Sequence, residues 1–469
     1  MSASQVSPDR FTSQSSKLIG FYVTLLRRSL EHFFPDAVLE HVADRTRIDL
    51  EQRIPRPNHQ LRDDPDGLGV LIDWFHNIYS FLPASPTPFL PAERLLIEAA
   101  VRLLDRRYLS LFDPDAMLRD EMFAYQVEDL IIAEQLATPD SIRIPAALEA
   151  LRAAALSTYE NRHLSSGVLL LGTPHDPAEP DRANPPGAPR YNIRLSAIKS
   201  FHRLCDGVRT VFLVDRHGDL VRVVDVAHWA DAVQAGSRCS GRLCPRAYAS
   251  HARATLDGDH VLLLLTPAQE IKVFARGEMA YAYSDARWRL LDIPTKYQSW
   301  VQALGKTEPP DLAHRLFQAA LNLSEDRHGA LLVVLRDPDS SLDLLVTRGD
   351  QILGEQAMDD PGDPDNLSPR VAKRTLHHVA RGRRVQDLEM SVMEALAGVD
   401  GALVADTRGR LLSFGAILRL GSESIRSPRA VEGARTTAAI AASYHGPVLK
   451  VSEDGFLTMF LSGRRVWEL

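Results

Sequence analysis

The sequence predicts an α/β (α+β) protein in three parts: a helical N-terminal domain, an α/β domain, and a second α/β domain with a mixed sheet flanked by helices. Three observations carry that expectation. Apolar residues recur at helical spacing through the first 160 residues. Short apolar runs bounded by Gly, Asp and Pro take over from Gly167. The second pattern then occurs twice in the same order, which marks an internal repeat. With 469 residues the chain is too long for one ordinary core, and the divisions are expected at 1–160, 161–305 and 320–469.

In the first segment Leu18, Phe21, Leu25 and Leu26 form a stripe that Leu30, Phe33 and Phe34 continue. Val70, Leu71, Trp74, Phe75, Ile78 and Tyr79 repeat the spacing, so Gly67–Leu82 is also expected as helix. Pro83, Pro86, Pro88 and Pro91 interrupt the pattern. Ala92–Leu111, Asp115–Leu136 and Pro145–Tyr159 resume it.

After Gly167 the elements are shorter. Val168–Leu171 reads as a buried strand and Leu195–Cys205 as an amphipathic helix. Val211–Val214 and Leu220–Val224 flank the hairpin turn Asp215-Arg216-His217-Gly218-Asp219. A helix over Arg246–Leu256 and a strand pair, Val261–Leu265 with Glu270–Phe274, complete the first copy; Tyr281–Leu304 reads as a connector. The order then recurs as strand Gly329–Val334, helix Val385–Ala397, strands Asp400–Ala405 and Leu411–Phe414, helix Ala434–Tyr444, and strands Val448–Val451 and Phe456–Phe460. Cys205-Asp206-Gly207-Val208 falls in the first copy where Val399-Asp400-Gly401-Ala402 falls in the second. The first copy has no Arg where Arg435 would align, so it is expected to be a related but degenerate scaffold or sensor.

The totals exclude several classes. A net charge of −7 disfavours nucleic acid as a bulk electrostatic partner. Cys205, Cys239 and Cys244 contain no Cys-x-x-Cys pair and are odd in number, which fits packing or surface thiols rather than a disulfide framework or a zinc site. Met1–Lys17 has no apolar core of the signal-peptide kind. Apolar runs such as Val261–Leu265 are far short of the ~20 residues that span a bilayer, so a cytoplasmic protein with no membrane partner is expected. His377-His378, with Arg370, Lys373, Arg374, Arg381, Arg383 and Arg384, reads as a solvated basic helix face. This region has no Walker-type Gly-x4-Gly-Lys-Ser/Thr loop, no His-Glu-x-x-His and no Gly-x-Ser-x-Gly.

The chemistry gathers near the C-terminus. Asp400 stands in a tight Gly turn at the mouth of a strand, where a carboxylate can hold a metal or orient a hydroxyl, and Gly401 lets a ligand approach the backbone. Gly433-Ala434-Arg435-Thr436-Thr437 opens a helix, whose N–H groups and Arg suit phosphate. Each feature also has a plain reading: a turn Asp, a Thr436 or Thr437 helix cap, and an acidic hairpin turn at Ser452-Glu453-Asp454-Gly455.

In this order, after Gly329–Val334, the three motifs resemble the diadenylate cyclase domain, the N-terminal nucleotide-binding module of the DNA-integrity-scanning DisA proteins. The family's Asp-Gly-Ala, Gly-Thr-Arg-His-Arg-Ala-Ala and Val-Ser-Glu segments match Asp400-Gly401-Ala402, Gly433–Ala439 and Val451-Ser452-Glu453, and the resemblance covers about Ser324–Arg465. It implies condensation of two ATP molecules into cyclic di-AMP and pyrophosphate, with Mg²⁺ or Mn²⁺ bound at Asp400. It implies Asp400 and Arg435 as catalytic residues, and Gly401, Ala402, Gly433, Ala434, Thr436, Thr437, Ser452 and Glu453 as nucleotide-binding residues. It also implies a homo-oligomer with facing domains, or an internal pseudo-dimer, regulated by the N-terminal region. Ala434, Thr436 and Thr437 stand where the motif has Thr, His and a second Arg, which leaves Arg435 as its one cation. Those exchanges keep a second reading open, a nucleotide sensor or scaffold without turnover.

Overall fold

The computed structural model describes residues 8–44, 59–75, 77–84, 87–112, 119–136, 143–159, 162–172, 188–196, 201–234, 242–257, 259–307, 309–352, 377, 380–419 and 433–469. The chain divides into two compact units, Met1–Arg242 with Ser250–Leu291, and Leu243–Ala249 with Asp292–Leu469. Helices and mixed sheets alternate in both, so the fold class is α/β.

The first unit opens on α1 (Pro8–Phe33), which buries Tyr22, Leu26, Leu30 and Phe33 along one stripe. Four strands follow: β1 (Val38–Asp44), β2 (Gln60–Asp63), β3 (Val70–Trp74) and β4 (Asn77–Leu82). They form an antiparallel sheet in the order β1-β4-β3-β2. This corrects the expectation of a wholly helical N-terminal segment. Val70, Ile72 and Trp74 also alternate at period two, and all three side chains are buried. Trp74 pairs with Asn77 across a tight turn in which Phe75 has φ +51°, a conformation that stops a helix and reverses a strand.

Helices α2 (Pro91–Ser110), α3 (Arg119–Ala124), α4 (Val127–Leu136) and α5 (Arg143–Ala155) come next, so the single helix expected over Asp115–Leu136 is two within the described residues. Pro91 takes the first position of α2, and the Leu90 N–H donates to Glu93 Oε2 at 2.7 Å. A short ribbon, β5 (Thr158–Tyr159) with β6 (Arg162–His163), leads into the large sheet of this unit.

That sheet contains β7 (Ser166–Leu170), β8 (Thr210–Val214), β9 (Leu220–Asp225), β10 (Val261–Leu265), β11 (Ile271–Ala275), β12 (Glu278–Ser284) and β13 (Arg287–Leu290). Three helices accompany it: α6 (Ile193–Ser196), α7 (Val226–Gln234) and α8 (Ala249–Arg253). The helix expected over Leu195–Cys205 is α6 and a 3₁₀ turn, Phe201–Leu204, with 197–200 outside the described residues. Tyr281–Leu304 is no connector: β12 and β13 extend the sheet before α9 (Ile293–Leu304) begins. One continuous apolar core runs from Tyr22 to Trp288, joining the N-terminal elements to this sheet. Within it Arg152 grips Asp129 with both guanidinium branches, and Trp288 Nε1 donates to Asp129 Oδ1 at 3.0 Å. Pairing and hydrogen bonding of this kind offset the desolvation cost of burying the Asp129 charge.

The second unit adds α10 (Leu312–Glu325), β14 (Ala330–Leu335), α11 (Pro338–Leu345), α12 (Met390–Ala397), β15 (Ala402–Asp406), β16 (Leu411–Ala416), α13 (Ala434–Ala442), β17 (Val448–Val451), β18 (Leu457–Leu461) and β19 (Arg464–Glu468). The helix expected from Val385 starts as a 3₁₀ turn, Val385–Asp387, before α12. Its sheet order is β16-β15-β14-β17-β18-β19, and that of the first unit is β9-β8-β7-β10-β11-β12-β13 read from the same edge. Directions agree as well: β14/β15 and β7/β8 are parallel, and every other neighbouring pair in the two sheets is antiparallel. The two copies therefore share one topology, with β13 as an added edge strand in the first. Each parallel pair needs a crossover, and both faces of β14 and β15 are buried, as covering helices require.

Candidate functional site

Pairing of β15 with β16 sets the first half of the site. Ala402 pairs with Ala416, and Gly401, at φ +119°, lies so close to β16 that a Cβ there would come within 2.4 Å of the Gly415 carbonyl carbon. Only Gly fits both the conformation and the gap. Asp400, one residue earlier, is lifted clear of the sheet, and its side chain is fully exposed.

The second half is the start of α13. Gly433 is its N-cap, and the Gly433 carbonyl accepts the N–H of Thr436 at 2.9 Å and of Thr437 at 3.2 Å. The two threonines therefore lie inside the helix and neither caps it. The first turn has no acidic side chain, so the positive end of the helix dipole has no fixed anion from its own sequence. Arg435 reaches out of this turn. Its Nη1 donates to Glu453 Oε1 at 2.8 Å and its Nη2 to Asp400 Oδ1 at 3.5 Å. The guanidinium lies over Gly329, the residue before β14.

Asp400, Arg435 and Glu453, three residues expected at one site, thus meet from three separate segments. Ser452 is in the same hairpin turn as Glu453, but its hydroxyl accepts the Phe456 N–H at 3.0 Å and serves the turn. Ala402 is fully buried beneath Gly401, while Gly433 and Ala434 are exposed at the helix mouth and Thr437 is half-buried. One residue was missed: Lys450 of β17 donates from Nζ to Thr436 Oγ1 at 3.0 Å, so Arg435 is not the lone cation here. Its signal in the sequence was a single charge in the run Val448-Leu449-Lys450-Val451, whose other three members are buried.

The first copy uses its Asp differently. Asp206 Oδ1 accepts the backbone N–H groups of Val208, Arg209 and Thr210 at 3.0, 2.7 and 3.0 Å. Burial pushes its pKa up, but those bonds and the Arg209 guanidinium outweigh it and hold the carboxyl below the usual range. Gly207, at φ +74°, packs against the Ser166 carbonyl, and its own carbonyl oxygen accepts a hydrogen bond from Nε2 of the buried His251 ring at 2.8 Å. Arg246, the nearest candidate in sequence to that copy's missing Arg, falls in the second compact unit and is bound there to Glu394 at 3.0 Å.

Asp400 and Glu453 are a suitable donor pair for Mg²⁺ or Mn²⁺, which take one or two carboxylates and complete their shell with water and phosphate. Among the described residues there is no group of three or more His, Cys, Asp and Glu placed to hold a metal by themselves. Cys205 and Cys244 are buried and in no disulfide, and burial pushes the Cys205 thiol up to about 12, which suits a packing role. Cys239, Arg370, Lys373, Arg374 and His378 lie outside the described residues. His377 is buried with its ring 4.9 Å from that of Phe414, so it is not part of a solvated face. Among the described residues no helix is long and apolar enough to cross a membrane.

No protein-family model matches the chain, and no curated protein matches it. Among solved structures, a hypothetical membrane-spanning protein from Bacillus cereus is similar at 23% identity, over 36% of this chain and 69% of its own, with a TM-score of 0.25. A double mutant of DacA from Staphylococcus aureus is similar at 16% identity, over 34% of this chain and 89% of its own, with a TM-score of 0.21. At these scores neither likeness bears on what this chain does.

Proposed function

We propose that the second α/β unit is a diadenylate cyclase-type nucleotide site that condenses two ATP molecules into cyclic di-AMP and pyrophosphate. The observation that supports this reading is the meeting of Asp400, Arg435 and Glu453 at the start of α13. In the proposed reaction the 3′-hydroxyl of each ATP attacks the α-phosphorus of the other, and pyrophosphate leaves. Asp400 accepts a hydrogen bond from the attacking hydroxyl and orients it. Arg435, held between two carboxylates, transfers to phosphate, an acceptor of higher charge. Asp400 and Glu453 would hold Mg²⁺ or Mn²⁺, which supplies positive charge against the triphosphate. The second ATP comes from a second copy of the chain, because Asp206 is committed to its own turn. In this reading the first unit regulates, and the protein works in the cytoplasm where ATP is supplied.

Incubation with ATP and Mg²⁺ or Mn²⁺, with products identified by mass spectrometry, tests the proposal. Cyclic di-AMP from the wild type and none from Asp400→Asn is the expected result. No product with either metal refutes it.

A second reading, a nucleotide sensor without turnover, is favoured by Ala434, Thr436 and Thr437, which remove a hydroxyl, an imidazole and a guanidinium from the motif. Removing one transition-state donor costs on the order of 10²–10³ in rate, while ground-state binding suffers less. Calorimetry with ATP, ADP and cyclic di-AMP tests it: tight binding without product supports it, and no binding of any of the three removes it.

A further inference from the structure

We propose that Lys450 is a phosphate-binding residue of this site, replacing in space a cation that the Gly433–Thr437 segment lacks in sequence. The inference rests on the nucleotide reading above and goes beyond it in naming the group that holds the triphosphate. Lys450 projects from β17 onto the first turn of α13, where its Nζ donates to Thr436 Oγ1 at 3.0 Å. That is an unfavourable place for an ammonium group. The N-terminal end of a helix carries a partial positive charge, and acidic side chains, not basic ones, stabilise it. The first turn of α13 has none, and it carries Arg435 as well.

The two cations differ in how they are compensated. Arg435 is balanced by Asp400 and Glu453. Lys450 has no carboxylate partner among the described residues; its partner is a neutral hydroxyl, and it is half-buried. A half-buried ammonium, a helix start and two threonines therefore share one corner, and among the described residues no carboxylate touches that ammonium. A polyanion supplies what is missing. An ammonium acts on phosphate as a point charge and needs no planar match, so a Lys from a neighbouring strand can do the work of a cation absent from the helix. In this proposal the labour is divided: Arg435 stands with the carboxylates that would serve the hydroxyl and the α-phosphate, and Lys450, by Thr436, would take the remaining phosphate charge.

The test is calorimetry of ATP, ADP and adenosine on the full chain, with wild type, Lys450→Met, Lys450→Gln and Lys450→Arg, each checked for folding by circular dichroism. Loss of a charged hydrogen bond predicts ATP binding about ten- to a hundredfold weaker in Lys450→Met and Lys450→Gln, adenosine binding unchanged, and recovery in Lys450→Arg. The dependence of ATP affinity on salt should also be shallower in the neutral variants. If the wild type binds ATP and a folded neutral variant binds it equally well, Lys450 has no such role and the nucleotide reading stands. If the wild type binds no ATP, both are overturned. Should Lys450→Met not fold, the polar Lys450→Gln carries the same comparison.

Discussion

Arg435 occupies the space that a side chain on Gly329 would need: a Cβ there would come within 2.1 Å of Arg435 Nη1. The absent side chain is what leaves room for the guanidinium to reach Asp400 and Glu453. Gly329→Ala should therefore move Arg435 and little else, because the obstructed group is the free end of a long side chain. Stability should change by less than about 1 kcal/mol, while ATP affinity falls severalfold. Thermal unfolding and calorimetry on the same preparation check both halves.

Gly446→Ala is the contrasting case. Its Cβ would lie 1.9 Å from the Val334 carbonyl oxygen, on the backbone of β14. Nothing there can swing aside. Overpacking against backbone is expected to cost about 2–3 kcal/mol, read as a lowered urea midpoint for the second unit.

The two Asp-Gly turns should respond in opposite ways. Asp206→Asn removes the charge that accepts three backbone N–H groups, and should cost about 1 kcal/mol of stability with no effect on cyclic di-AMP formation. Asp400→Asn touches an exposed side chain, so it should leave stability unchanged and stop product formation. Denaturation curves and product assays on both variants separate the roles.

Acid should weaken the first unit. His32 Nε2 accepts the Trp288 N–H at 3.0 Å, which requires a neutral ring. Burial lowers its pKa, Glu128 partly restores it, and Arg287 lowers it again. The folded pKa is thus below the ordinary value of about 6.5 that the unfolded chain shows. As pH falls through that value the unfolded state takes up a proton that the folded state resists, so stability declines until the folded pKa is passed. Burial also lowers the pKa of His251, partly offset by the Gly207 carbonyl and Asp206. Urea midpoints measured from pH 8 to pH 5 should fall, and less steeply for His32→Gln; parallel curves would exclude His32 as a contributor.

Much of the architecture was legible because its signals are local. Apolar runs flanking Asp-Gly turns marked the strands of both copies, and their order recurs in two sheets of the same topology. The Gly67–Leu82 stretch was misread because Val70, Leu71, Trp74 and Ile78 satisfy the helical period as well as the alternating one. The partner strand and the turn at Phe75 decide between them, and pairing is not a local property. At the site, Asp400, Arg435 and Glu453 were found through motif order. Lys450 was not, because its significance lies in where β17 runs beneath α13, a fact of three-dimensional packing.

The committed carboxylate of Asp206 has a consequence for how the protein would behave in a mixture. A chain with one usable carboxylate turn cannot supply both halves of a symmetric condensation, so under the proposed reaction output should rise faster than linearly with protein concentration until pairing saturates. An inactive chain added to an active one would then act as a poison, because output would follow the square of the competent fraction. One aspartate folded back onto its own backbone would thus make the activity a property of the population.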